Sequence, residues 1–86
     1  MKLQRTRKFK AAYQALSGTL QLKADKALVL IAVNPSHPSL HLKKMRGVSG
    51  IWEARVDRGC RMTLEIRHDV CLLRNIGKHD ETLADP

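Results

Sequence analysis

Aromatic side chains are scarce in this chain, with one Phe, one Tyr and one Trp among 86 residues. Phe9, Tyr13 and Trp52 each fall on an apolar position of the pattern traced below, which reads all three as core. Cysteine is limited to Cys60 and Cys71, and this excludes a disulfide-stapled scaffold. The expected strand register keeps the two out of step, beyond the roughly 7 Å Cα separation that a disulfide spans. Two free thiols suit a reducing compartment. His37 and His41 have HxxxH spacing, but Pro38 between them bars the helix that would align their rings, and no close cysteine pair completes a ligand set. No metal and no other cofactor is expected. Long apolar runs are missing too: Ala27 to Val33 is the longest, far short of the roughly 20 residues of a membrane span. The basic start lacks the uninterrupted apolar stretch of about 7 to 15 residues that export requires. The reading is a cytoplasmic protein with no membrane partner, and neither repeats nor low-complexity segments break it up.

Acidic residues are the last scarcity. Sixteen Lys and Arg face eight Asp and Glu, giving a formal charge of +8 and a pI near 10.1. That balance favours a polyanionic partner, either nucleic acid or an acidic protein segment. A chain of this length makes one domain, residues 1–86, that buries roughly 60 to 65% of its unfolded surface.

What is present falls into two halves. In the first, Phe9, Ala12, Tyr13 and Leu16 recur at i, i+3, i+4 and i+7, a helical stripe with Thr6 as N-cap, and Ser17-Gly18 ends it. Leu20, Ala24, Ala27, Leu28 and Ile31 make a second stripe that runs to Val33, where the prolines of "NPSHPS" stop it. The expectation is a helical hairpin whose lysines and arginines are solvated faces. From Ser39 the period drops to two. "SLHLKKM", "IWEARVD" and "CRMTLEIR" alternate apolar and polar residues, and "VCLLRNI" is almost wholly apolar, as a central strand covered on both faces would be. The fold class is therefore α+β: the N-terminal helical hairpin packed on a small, mostly antiparallel sheet of three to four strands.

Register follows from the turns. Asp57-Arg58-Gly59 reads as a hairpin loop with glycine in the left-handed position. Pairing Val56 with Cys60 keeps Trp52, Ala54, Met62 and Leu64 on one face and sets Arg55 directly opposite Arg61. Like charges so placed cost a few tenths to about 1 kcal/mol, as in a face prepared for an anion, unless Glu53 and Glu65 neutralise the pair. The turn around Arg67-His68-Asp69 fits either a two- or a three-residue loop. His68 belongs to that turn and His37 to the proline-flanked loop. In either register Gly77 emerges beside Arg61, which delivers Lys78 and His79 to the edge of the arginine face.

Those residue types match the needs of phosphodiester cleavage. The reaction takes a base for a 2′-hydroxyl, cations for the charge building on the phosphoryl oxygens and an acid for the leaving 5′-oxygen. An imidazole such as His79 exchanges protons near neutral pH, and the planar guanidiniums of Arg55 and Arg61 grip phosphate as a fork. Glu53 and Lys43 are both candidates for the base. Asp80 either orients His79 or caps a terminal turn.

The segments "NPSHPSLHLKKMRGVSGIWEARVDRGCRMTLEI" and "LLRNIGKHDETL" resemble the RelE/ParE superfamily of toxins from type II toxin-antitoxin systems, over nearly the whole chain. The resemblance implies a helical hairpin on a small sheet, a single RelE-like toxin domain, and a cognate acidic antitoxin that wraps it. On the RelE branch it implies a metal-independent endoribonuclease that cuts mRNA on the ribosome and inhibits translation. His79, Arg61 and Arg55 are then catalytic, and Lys43, Lys44, Arg46 and Lys78 bind RNA. On the ParE branch it implies an inhibitor of DNA gyrase that acts by binding alone. Three positions depart from the pattern: Cys60 stands where tyrosine is usual, Glu53 where some ribonucleases keep lysine, and no tyrosine follows His79. With so few aromatics, base stacking would add little, and affinity would be mainly electrostatic.

Overall fold

The computed structural model describes residues 1–86, and it begins with a strand. β1 (Lys2–Arg5) leads into α1 (Arg7–Gln14) and α2 (Gly18–Val33). A single 3-10 turn, Pro38–Leu40, precedes β2 (Lys43–Lys44), β3 (Trp52–Asp57), β4 (Cys60–Arg67) and β5 (Val70–Lys78), and α3 (His79–Ala84) closes the chain. The class is α+β as expected, but the sheet has five strands in the order β1-β5-β4-β3-β2, not three to four. It is mixed, because β1 lies parallel to β5 with Leu3 opposite Cys71. The helical hairpin therefore follows a strand instead of starting the fold. Four residues, three of them polar and exposed, give too little alternation to announce that strand.

The caps explain the helix boundaries. Thr6 accepts from the Phe9 amide at 3.0 Å and starts α1. Ser17 was read as part of the stop of the first helix; its hydroxyl instead accepts from the Leu20 amide at 3.2 Å and starts α2. Both stripes pack on the face of the sheet formed by Ala54, Met62, Leu64, Cys71, Leu73 and Ile76, where Phe9, Ala24, Ala27, Leu28 and Ile31 are buried. Each large apolar side chain buried there contributes roughly 1.5–3 kcal/mol. Burial also pushes both thiols up, that of Cys71 to about 11 and that of Cys60 with further help from Asp57. The two are free thiols in the core.

Pairing corrects the expected register in three places. "SLHLKKM" is not a continuous strand: Leu40 ends the 3-10 turn, His41 is left-handed with φ 45°, and only Lys43 and Lys44 pair, with Glu53 and Trp52. In the β3–β4 hairpin Arg55 does face Arg61, but a bulge at Val56 makes Asp57, not Val56, the partner of Cys60. Gly59 is not left-handed there. The turn is set by Asp57 Oδ1, which accepts from the Gly59 amide at 3.0 Å, an Asx turn that shortens the loop. Finally, the β4–β5 turn has two residues, with Arg67 opposite Val70 and Ile66 opposite Cys71. One extra residue, Arg74, bulges from β5, and Cys60 pairs with Lys78 one position later than expected.

Candidate functional site

Strand alternation sorts the cations. Arg55, Arg61 and Lys43 share the face turned away from α1 and α2, because Lys43 pairs with Glu53, and Arg55 faces Arg61. Lys44 pairs with Trp52 on the opposite face, where its Nζ stands 5.5 Å from the centre of the indole ring. Lys43 and Lys44 thus straddle the edge of the sheet, one on each face. Arg46 lies in the exposed loop after β2.

The glutamates are not where neutralisation of the arginine pair would need them. Glu65 takes Arg67 at 2.9 Å and Arg74 at 2.5 Å, and Glu53 takes Lys43 at 3.7 Å. Only Lys8, Lys23, Lys43, Arg67 and Arg74 among the lysines and arginines lie within ion-pair distance of a carboxylate. Arg55 and Arg61 are not among them. Arg61 is nevertheless held: its Nη1 donates to the backbone carbonyls of Asp57 at 2.6 Å, Cys60 at 3.1 Å and Arg58 at 3.3 Å. Those bonds fix the guanidinium plane over its own turn and leave the Nε and Nη2 edge for an anion. Partial burial works against the charge on Asp57. Donation from Lys23 and from the Gly59 and Cys60 amides outweighs it, and the carboxyl ends below its ordinary value.

His79 is joined to this corner through the backbone. Arg61 pairs with Gly77 and Cys60 with Lys78, and the His79 amide then donates to the Gly59 carbonyl at 2.9 Å, so α3 starts against the Arg61 turn. The His79 ring is half exposed, and its Nδ1 meets Asp80 Oδ1 at 2.8 Å. Of the two roles expected for Asp80, orienting His79 is the one seen. That contact engages Nδ1 and leaves Nε2 without a partner in the protein.

Sequence reading missed what backs this corner. A Cβ on Gly77 would lie 3.1 Å from Thr82 Oγ1, so glycine serves here for the close approach of α3 to the strand as much as for the exit of the chain. Beyond α3 the chain lies against the outer face: Asn75 donates to the Asp85 carbonyl at 2.9 Å, and Thr63 and Arg74 donate to the Pro86 carbonyl at 3.1 and 3.0 Å. Thr63 and Asn75 stand at outward positions of the alternation yet are buried, and they mark the covered second face.

The sequence matches no family model and no curated relative. The fold does match solved structures. It superposes on the RelB-RelE antitoxin-toxin complex from Methanococcus jannaschii with a TM-score of 0.74 and 16% identity, covering 94% of each chain. For the YoeB/ParE toxin from Agrobacterium tumefaciens the TM-score is 0.77 at 16% identity, over 92% of this chain and 99% of that one. The intact E. coli RelBE toxin-antitoxin complex gives 0.72 at 18% identity, over 91% and 95%. The chain therefore has the fold of the RelE, YoeB and ParE toxins. Likeness at this identity defines the fold and leaves the chemistry to the site.

Proposed function

We propose that the protein is a toxin of the RelE type, an endoribonuclease that cuts mRNA on the ribosome and is silenced by a cognate acidic antitoxin. The observation that carries this reading is the Arg55–Arg61 rung, two guanidiniums opposite one another that no carboxylate neutralises, with His79 at the same corner. Two facing like charges cost stability, and an RNA phosphate seated between them would relieve that cost. In the proposed reaction Glu53 takes the proton of the 2′-hydroxyl, and the 2′-oxygen bonds to phosphorus. The bond to the 5′-oxygen then breaks, and His79, entering the step as imidazolium, gives its Nε2 proton to the leaving oxygen and ends neutral. Arg55 and the free edge of Arg61 hold the charge that builds on the phosphoryl oxygens. Lys43 stands 3.7 Å from Glu53, and Lys78 lies beside His79 on the path of the strand.

The test is induction in a translating extract with primer extension across the message. Discrete cuts in translated frames are expected from the wild type. Arg61→Ala and His79→Ala should each lower cleavage by at least about 100-fold while keeping the wild-type circular dichroism. Full cleavage by both variants would remove this site from the reaction.

A binding-only reading has two observations in its favour: Nη1 of Arg61 is committed to its own turn, and Glu53 adds negative charge to the face. Such a protein would arrest DNA gyrase. Growth arrest with intact mRNA and induced DNA damage signalling is the outcome that would favour it.

A further inference from the structure

At the other end of β3, on the helix-side face of the sheet, an open groove of about 650 Å³ is lined by Trp52, Leu42 and Ile66 and rimmed by His37, His41 and His68. Trp52 is the sole tryptophan. It packs against the core but stays part exposed, contrary to its reading as a plain core residue. Two of the rim histidines, His41 at φ 45° and His68 at φ 54°, are the chain's non-glycine residues with positive φ. Glycine or asparagine fits that backbone at least cost, yet both positions carry an imidazole beside the same groove. No three His, Cys, Asp or Glu side chains converge to hold a metal ion.

We propose that this groove is a nucleobase-binding subsite for single-stranded RNA, with the base against the Trp52 indole and the three imidazoles at its edges. Charge selects the ligand class. The Lys44 ammonium already occupies a cation–π position on Trp52; a stacked base takes over the ring and frees Lys44 for that nucleotide's phosphate. Topology supplies the route. β2 is an edge strand of two residues, with Lys43 on the Arg55 face and Lys44 on the Trp52 face, so a strand that crosses this edge meets a cation on each side. Trp52 and Arg55 are three residues apart along β3, roughly 10 Å, which a few nucleotides span. The subsite rests on the RNA-directed reading of the protein and adds to it a position where the base, not only the phosphate, is held.

Intrinsic tryptophan fluorescence reports the event directly, because there is one indole. The titrants are a short single-stranded RNA made non-cleavable by 2′-O-methyl groups, an abasic oligomer of equal length and charge, and a polyglutamate peptide. Quenching by the RNA alone is expected, together with roughly ten-fold weaker RNA binding by Trp52→Leu, read by anisotropy of a labelled strand. Trp52→Leu keeps an apolar side chain against the core, and the abasic oligomer should bind it as it binds the wild type. Equal quenching by the abasic oligomer or the peptide, or unchanged RNA affinity in Trp52→Leu, overturns the subsite. Cleavage is scored separately on ordinary message. Cuts without quenching sink the subsite and spare the nuclease, whereas quenching without cuts does the reverse.

Discussion

Glu65 shows how a single side chain sorts the charges of the outer face. It engages Arg67 and Arg74, and by taking these two it leaves Arg55 and Arg61 free for a ligand. Hydrogen bonds from Arg67 and then Arg74 hold its carboxyl below the ordinary glutamate value. A depressed carboxylate stabilises the fold above its unfolded pKa and loses that contribution as pH falls through the folded one. Thermal melts of Glu65→Gln should therefore lie below the wild type at pH 7 and converge on it in acid, as the pH falls past the ordinary glutamate value and through the depressed one. A constant gap across that range would remove the ion pairs from the account. Arg55 facing Arg61 was legible in the sequence, because alternation and a short turn are enough to set that register. The Glu65–Arg74 pair was not. It depends on the β5 bulge at Arg74, and a single inserted residue leaves no periodic trace.

Elements divide the same way. α1, α2 and the β3–β5 meander each repeat one period at least twice, and their existence, order and faces could be read directly. β1 and α3 are short, and their stability comes from partners distant in sequence. α3 has six residues and no side-chain N-cap bond at Lys78, and its one local signal is the acidic pair Asp80 and Glu81 in its first turn. Its seat is the bare Cα of Gly77. Gly77→Ala adds a methyl group 3.1 Å from the buried Thr82 hydroxyl at a φ of 156°, and this should loosen α3 while the core persists. Hydrogen exchange of the 79–84 amides is expected to quicken by roughly ten-fold with β4 protection unchanged. Uniform loss of protection would mean that the contact supports the whole fold.

For the whole molecule, charge governs association. A +8 chain whose site cations are mostly unpaired should bind RNA through counterion release. With Arg55, Arg61, Lys43 and Lys78 each on one phosphate, log affinity should fall against log salt with a slope near −3. Titration of a non-cleavable RNA between 50 and 200 mM salt measures it, and a flat response would exclude this face. Net charge was plain from composition, but which cations remain free depended on three-dimensional pairing.

The parallel ladder of β1 on β5 also bears on when the fold can be completed. Lys2 lies opposite Val70, and the Thr6 hydroxyl reaches the Arg74 carbonyl, 68 positions away. Loop closure across so much chain is slow relative to the two local hairpins. β1 thus has no place in the sheet until β5 has been made. The His79 corner, which lies beyond β5, is assembled only after that strand is in place.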